Sequence, residues 1–140
     1  MKHLFPIAII GLLLYAAFQH NGPLPDPGGP IIGKGMRVLI VEETANRSKL
    51  PGEQAAILSS GLVEDYLNAH CVKEESGKPA WRIWDKDTST TNEAKFWQDT
   101  MQRKHDSLPW IIVSKSPGRG FEGKLPLNVD STLELLKKYE

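Results

Sequence analysis

The sequence predicts an α/β domain with a mixed four-stranded sheet and the element order β-α-β-α-β-β-α. Three observations carry this. Short runs rich in β-branched and aromatic residues stand at Val38–Val41, in "AWRIWD" and in "LPWIIVS". Helically spaced stretches separate them, from Glu53 to His70 and in "TTNEAKFWQDTMQRKH". The turn "SPGRG" then joins the third run to a short "FEGKLP", before a last amphipathic stretch, "DSTLELLKKYE". Helical crossovers favour parallel pairing of the first two strands, and a tight turn makes the last two a hairpin.

The chain opens with "MKHLFPIAIIGLLLYAAFQH", where Lys2 and His3 precede an uncharged run from Leu4 to Phe18. The run has the length of a signal-peptide core and falls slightly short of the roughly 20 residues of a full membrane span. "YAAFQH" lacks the paired small residues of a good cleavage site, and no cysteine follows for lipid attachment. Residues 1–19 are therefore expected to be an uncleaved signal anchor. A cleaved signal peptide is the first alternative. A core helix is the second, with Pro6 and Gly11 against it. Lys2 and the amino group favour an inside amino terminus, while Lys34 and Arg37 sit on the other flank. The expectation is a membrane-anchored protein with its domain outside the cytoplasm, secreted if the segment is cleaved. Residues 20–35, with four prolines in "NGPLPDPGGPIIGKG", make a linker. Residues 36–140 make the domain, long enough for one modest core.

Each element has its own signature. Val38 to Val41 is continuous and apolar, as in a strand covered on both faces. Ser48 or its neighbours are placed to cap the next helix, with Pro51 in its first turn. That helix is predicted as one piece, with a stripe of Ala55, Leu58, Leu62, Tyr66 and Ala69. "KEESGKP" breaks the chain. In the second strand Trp81 and Ile83 share one face and Trp84 takes the other. Thr90 and Glu93 have capping-box spacing before a helix that buries Ala94, Trp97 and Met101. Ser131 and Glu134 have the same spacing before the last helix, which turns Leu133 and Leu136 inward. Lys137 and Lys138 complement its C-terminal dipole.

Composition excludes several functions. Seventeen basic and seventeen acidic residues balance, so no surplus exists to neutralise a phosphate backbone, and no nucleic-acid partner is expected. The one cysteine, Cys71, permits neither an intrachain disulfide nor a multi-cysteine metal cage. His3, His20, His70 and His105 show no metal-ligand spacing, so neither metal nor cofactor is expected. "DKD" at Asp85–Asp87 ends a strand more naturally than it holds a cation. "GKG" and "SPGRG" lack the pattern of a phosphate loop. Ser48 beside Lys49 does not by adjacency make a nucleophile and base.

From Met36 to Glu140 the chain resembles the thioredoxin-like superfamily. The element order matches that family's compact core. "SLPWIIVS" resembles its signature before the third strand, and "GRGFEG" resembles its glycine-bearing turn and fourth strand. The resemblance implies a three-layer sandwich and makes Pro109 the family's cis-proline, facing the loop after the first strand. In that loop thioredoxins carry C-x-x-C, but here the stretch is "ETANRSKLP". Dithiol exchange needs an attacking thiolate and a resolving thiol, and neither is present. The fold is thus implied without the activity. In such folds the backbone just before the cis-proline pairs with extended peptides, and here that residue is Leu108. The expectation is a membrane-tethered, redox-inactive binding or assembly module. Its groove would be formed by Asn46, Arg47 and Ser48 on one side and Leu108, Pro109 and Trp110 on the other. An extended peptide or protein segment would be its partner. The alternative is a thiol-dependent oxidoreductase using Cys71 alone. The four tryptophans are expected mainly in the core, with Trp110 placed to border the groove.

Overall fold

The structure, a computed structural model, describes residues 30–116 and 118–140. The anchor segment 1–19 and the linker up to residue 29 lie outside these. Among the described residues no helix is long and apolar enough to cross a membrane.

Four strands form one sheet: β1 (Arg37–Glu42), β2 (Trp81–Asp85), β3 (Trp110–Ser116) and β4 (Arg119–Lys124). Their order across the sheet is β2-β1-β3-β4. β1 pairs parallel with β2, Val38 opposite Trp81 and Val41 opposite Trp84. It pairs antiparallel with β3, Val41 opposite Trp110. β3 and β4 form the hairpin, turned through Gly118 at φ +84°, a conformation that suits glycine. The parallel first pair and the terminal hairpin agree with the sequence. β1 is central and buried from Val38 to Glu42, which is why its apolar run is continuous rather than alternating.

Helices cover both faces. Val38 and Ile40, with Ile111 and Val113, pack against α1 (Gly52–Ile57), α2 (Gly61–His70) and α4 (Val129–Lys137). Leu39, Val41 and Ile112 pack against α3 (Lys95–Met101), which contributes Trp97. Strand alternation sorts the two sets, as it sorts Trp81 and Ile83 to the first face and Trp84 to the second.

Helix boundaries differ from the sequence reading. The predicted helix from Glu53 to His70 is two helices. Ser60 caps α2 by accepting the Val63 amide at 3.3 Å, and the Ser-Ser-Gly step before it re-phases the stripe. Of the expected stripe Leu58 is buried and Tyr66 packs on the core, but Ile57, Val63 and Leu67 are the other buried residues, and Leu62 is left 67% exposed. Before α3 no capping box forms. Thr90 to Glu93 closes its own turn, and Ala94, expected in the core, is the exposed N-cap. Asn128 rather than Ser131 caps α4, accepting the Ser131 amide at 2.8 Å. Leu136 is buried and Leu133 packs on the core as expected. A 3₁₀ helix, Thr44–Lys49, occupies the loop after β1.

Residues 30–35, placed in the linker by their composition, pack with the domain. Ile31 is fully buried on the α3 face, and its carbonyl accepts the Ser114 hydroxyl at 2.8 Å. Gly35 has φ +91°, and a side chain there would run into Val72.

Candidate functional site

The loop after β1 and the approach to β3 lie at one end of the sheet. Val41 is opposite Trp110, so the chain leaves β1 beside the point where it enters β3. The Leu108–Pro109 peptide bond is cis. Pro109 and Trp110 are buried, Leu108, Asn46 and Arg47 are partly exposed, and Ser48 is exposed. Trp110 belongs to the α3-face core, so its indole is not a groove-lining surface. The Pro109 carbonyl accepts the Leu125 amide at 3.1 Å. The amide and carbonyl of Leu108 have no hydrogen-bond partner among the described residues.

The loop is held by ionic contacts within it. Glu42, the last residue of β1, is almost fully buried, and its carboxylate accepts two N–H groups along one edge of the Arg47 guanidinium. The Nε–Oε1 bond is 2.8 Å, and Nη2 pairs with Oε2. That bond and the Glu42 charge hold the Arg47 guanidinium above its ordinary range. Asn46 donates to Glu43 at 2.9 Å. The "DKD" stretch ties the same loop down. Asp85 accepts the amides of Thr44 at 2.8 Å and Asp87 at 2.9 Å, and these bonds hold its carboxyl below the usual range. The Lys86 amide reaches the Glu42 carbonyl at 2.8 Å. "DKD" is thus a structural tie between β2 and the loop.

Cys71 is elsewhere. It is the C-cap of α2, and it bridges Met36, at the end of the sheet where β1 begins. It is buried among aliphatic side chains. Burial pushes its thiol up to about 12, with Lys73 opposing weakly. Among the described residues no three His, Cys, Asp or Glu side chains gather as metal ligands.

No protein-family model, curated protein or solved structure matches the chain.

A second concavity lies where the sequence reading saw only a chain break. It is a cleft of about 740 Å³ between the hairpin of "KEESGKP", the start of β2 and the turn before α3. The hairpin is closed by Glu74 N–H to Lys78 O and Gly77 N–H to Glu74 O, both 2.8 Å. Gly77 has φ +85°. Arg82 forms one wall. It pairs with Glu74 at 2.6 Å and lies over the Trp97 ring at 5.0 Å and the Trp84 ring at 5.8 Å. Glu74 also accepts the Trp97 indole N–H at 2.5 Å. Arg37 lies over Phe96 at 5.0 Å and donates to the Ile32 carbonyl at 3.1 Å. Gly33 beside it has φ +130°, a backbone conformation that favours glycine. The legible signal was an arginine between two tryptophans in "WRIW", following a run dense in lysine and glutamate.

Proposed function

We propose that the chain is a membrane-tethered binding or assembly module of thioredoxin-like fold that performs no thiol chemistry. The strand order β2-β1-β3-β4, its mixed pairing and the helices on both faces support that fold. The observation that carries the functional reading is Leu108. Its backbone lacks a partner among the described residues and stands beside a loop fixed by the Glu42–Arg47 pair. An extended segment adding there gains main-chain hydrogen bonds without any cysteine. Asn46, Arg47 and Ser48 would border it, with Pro109 and Trp110 as the buried support behind Leu108. The apolar run of residues 4–18 would keep the module at a membrane.

The competing reading is an oxidoreductase working through Cys71. The position of Cys71, buried at the other end of β1 with its thiol held protonated, argues against it.

Selection of extended peptides from a displayed library against the full chain, followed by amide-shift mapping, tests the proposal. Shifts at residues 107–110 and 46–48 are expected. Peptides that map to the outer edge of β2, or a selection that enriches none, would overturn it. In parallel, insulin reduction and peroxide turnover should stay at background in wild type and in Cys71→Ser alike. Turnover that the substitution abolishes would establish the oxidoreductase instead.

A further inference from the structure

We propose that the cleft beside Arg37 and Arg82 is a second binding site, for a ligand that presents a carboxylate next to an apolar or aromatic group. It is independent of the Leu108 groove. Arg37 and Arg82 stand at the beginnings of β1 and β2, and the Asn46–Ser48 loop leaves the far end of β1. Six residues of strand, roughly 20 Å, separate the two.

The size is right for a small ligand. A volume of about 740 Å³ falls inside the range of about 300–1,000 Å³ usual for such sites. The walls are also built in advance. Arg82 is stacked on two indoles and fixed by Glu74, and Glu74 is fixed in turn by the Trp97 N–H. The hairpin that supplies Lys73 and Lys78 is closed by its own backbone bonds. A ligand therefore meets a formed surface, and little ordering cost remains to be offset.

Charge selects the ligand. Seven ionic side chains line the cleft, but they are not equally available. Glu74 is taken up by Arg82 and Trp97, and Glu93 lies 4.0 Å from Arg82. On the cationic side Arg37, Lys73 and Lys78 have no ion pair among the described residues, and Glu75 is the one acidic counterpart left over. Over the whole lining four cations face three carboxylates, a surplus of one positive charge. A single carboxylate complements it. A phosphate dianion would add a second negative charge close to Glu75 and Glu93, so it is disfavoured. Phe96, backed by the Arg37 guanidinium, supplies the apolar surface for the rest of the ligand.

Benzoate is a suitable probe, titrated into the full chain while backbone amide shifts are recorded. Saturable shifts are expected in residues 73–78 and at Phe96. Lys73→Gln with Lys78→Gln, both at exposed positions, should weaken binding by about tenfold or more. Lys73→Gln alone should act in the same direction with a smaller effect, which guards against a folding defect in the double variant. Inorganic phosphate should bind more weakly than benzoate, and benzylamine should not bind. The proposal is overturned by any of four results: shifts that do not saturate, affinity unchanged in both variants, benzylamine or phosphate binding as tightly as benzoate, or shifts confined to residues 43–49 and 107–110. The last would place the probe in the Leu108 groove and leave that reading standing alone.

Discussion

The two faces of the sheet are made differently. On the side of α1, α2 and α4 the fully buried core among the described residues holds no aromatic ring: Val38, Ile40, Ile111 and Val113 meet Ile57, Val63, Leu67 and Leu136, while Tyr66, Trp81, Phe121 and Tyr139 pack against it only partly buried. Gln54, donating to the Leu125 carbonyl at 3.0 Å, is a buried polar side chain on that side. On the side of α3 two buried indoles, Trp97 and Trp110, join Ile31, Leu39, Val41 and Ile112. Trp97 is fully buried, Trp84 meets it edge-on at 5.7 Å, and Phe96 tilts against it at 5.0 Å. Aliphatic packing depends on volume alone. An indole adds an N–H that needs a partner, and its face attracts cations. That is why the α3 face carries Arg82, Glu74 and Arg37 with it, and why the cleft opens there. One face holds the fold, and the other also shapes a surface.

The sharpest way to break this contrast is a pair of truncations. Trp97→Ala should cost about 3–5 kcal/mol in chemical denaturation, through the cavity it leaves. It should also release Glu74 and Arg82 and disturb the amides lining the cleft. Leu136→Ala on the other face should cost about 2–5 kcal/mol and leave those amides where they are. Equal disturbance of the cleft by both substitutions would show that the faces are not separable.

A smaller effect is expected from the ion pair at the end of β1. Arg47→Ala leaves the Glu42 carboxylate buried without its cation. Losing one partner of a buried pair can cost several kcal/mol. Arg47 is 42% exposed, so water screens part of the loss, and about 1–3 kcal/mol is expected. Glu42→Gln with Arg47→Ala should be milder than Arg47→Ala alone, since the stranded charge is gone. Denaturation midpoints of the single and double variants decide this. A double variant less stable than Arg47→Ala would show that Glu42 has another essential partner.

A third test concerns the thiol. Cys71 sits on the face of α1, α2 and α4 with its thiol pushed up to about 12 by burial. Iodoacetamide at mildly alkaline pH should modify the folded chain roughly a thousandfold more slowly than the urea-unfolded chain, following the thiolate fraction. Comparable rates would mean an open site and would revive the oxidoreductase reading.

The strands were legible because each is a local pattern. Val38–Val41 and Trp110–Val113 are apolar runs bounded by turn residues, and pairing followed from how they are connected. Helix phase was less legible. A stripe read continuously through Ser59-Ser60-Gly61 slips when the helix stops, and Leu62 then replaces Val63 as the apparent core residue. The cis bond at Pro109 followed from a resemblance, since no local pattern specifies it. The cleft was illegible for another reason. Its cations come from positions 37, 73, 78 and 82, and only the parallel pairing of β1 with β2 brings them together. A charge run in the sequence does not reveal which of its members are already paired.

The smallest effect sharpens the comparison within the α3 face itself. Trp97 has a partner for its N–H, but Trp110 does not: its Nε1 is buried with no acceptor among the described residues. His105 stands 6.5 Å from the Trp110 ring, and its Nε2 is also buried without a partner among the described residues. Burial lowers the His105 pKa from 6.5, against the pull of Glu122 on β4. Glu122 is itself held by Arg103 at 2.7 Å. Because the folded state resists protonation, the unfolded chain binds more protons between the depressed folded value and 6.5. Stability therefore rises with pH across that window, is full above about 6.5, and is lost as the solution is acidified. His105→Gln removes the titration and keeps a polar ring-sized group. Denaturant midpoints measured from about pH 5 to about pH 7 should slope upward in wild type and less steeply in the variant. Trp110 emission should fall on acidification in wild type, as a protonated imidazole forms beside it. An unchanged slope in His105→Gln would mean that this corner is open to water, and the contrast between the two indoles would then be one of packing alone.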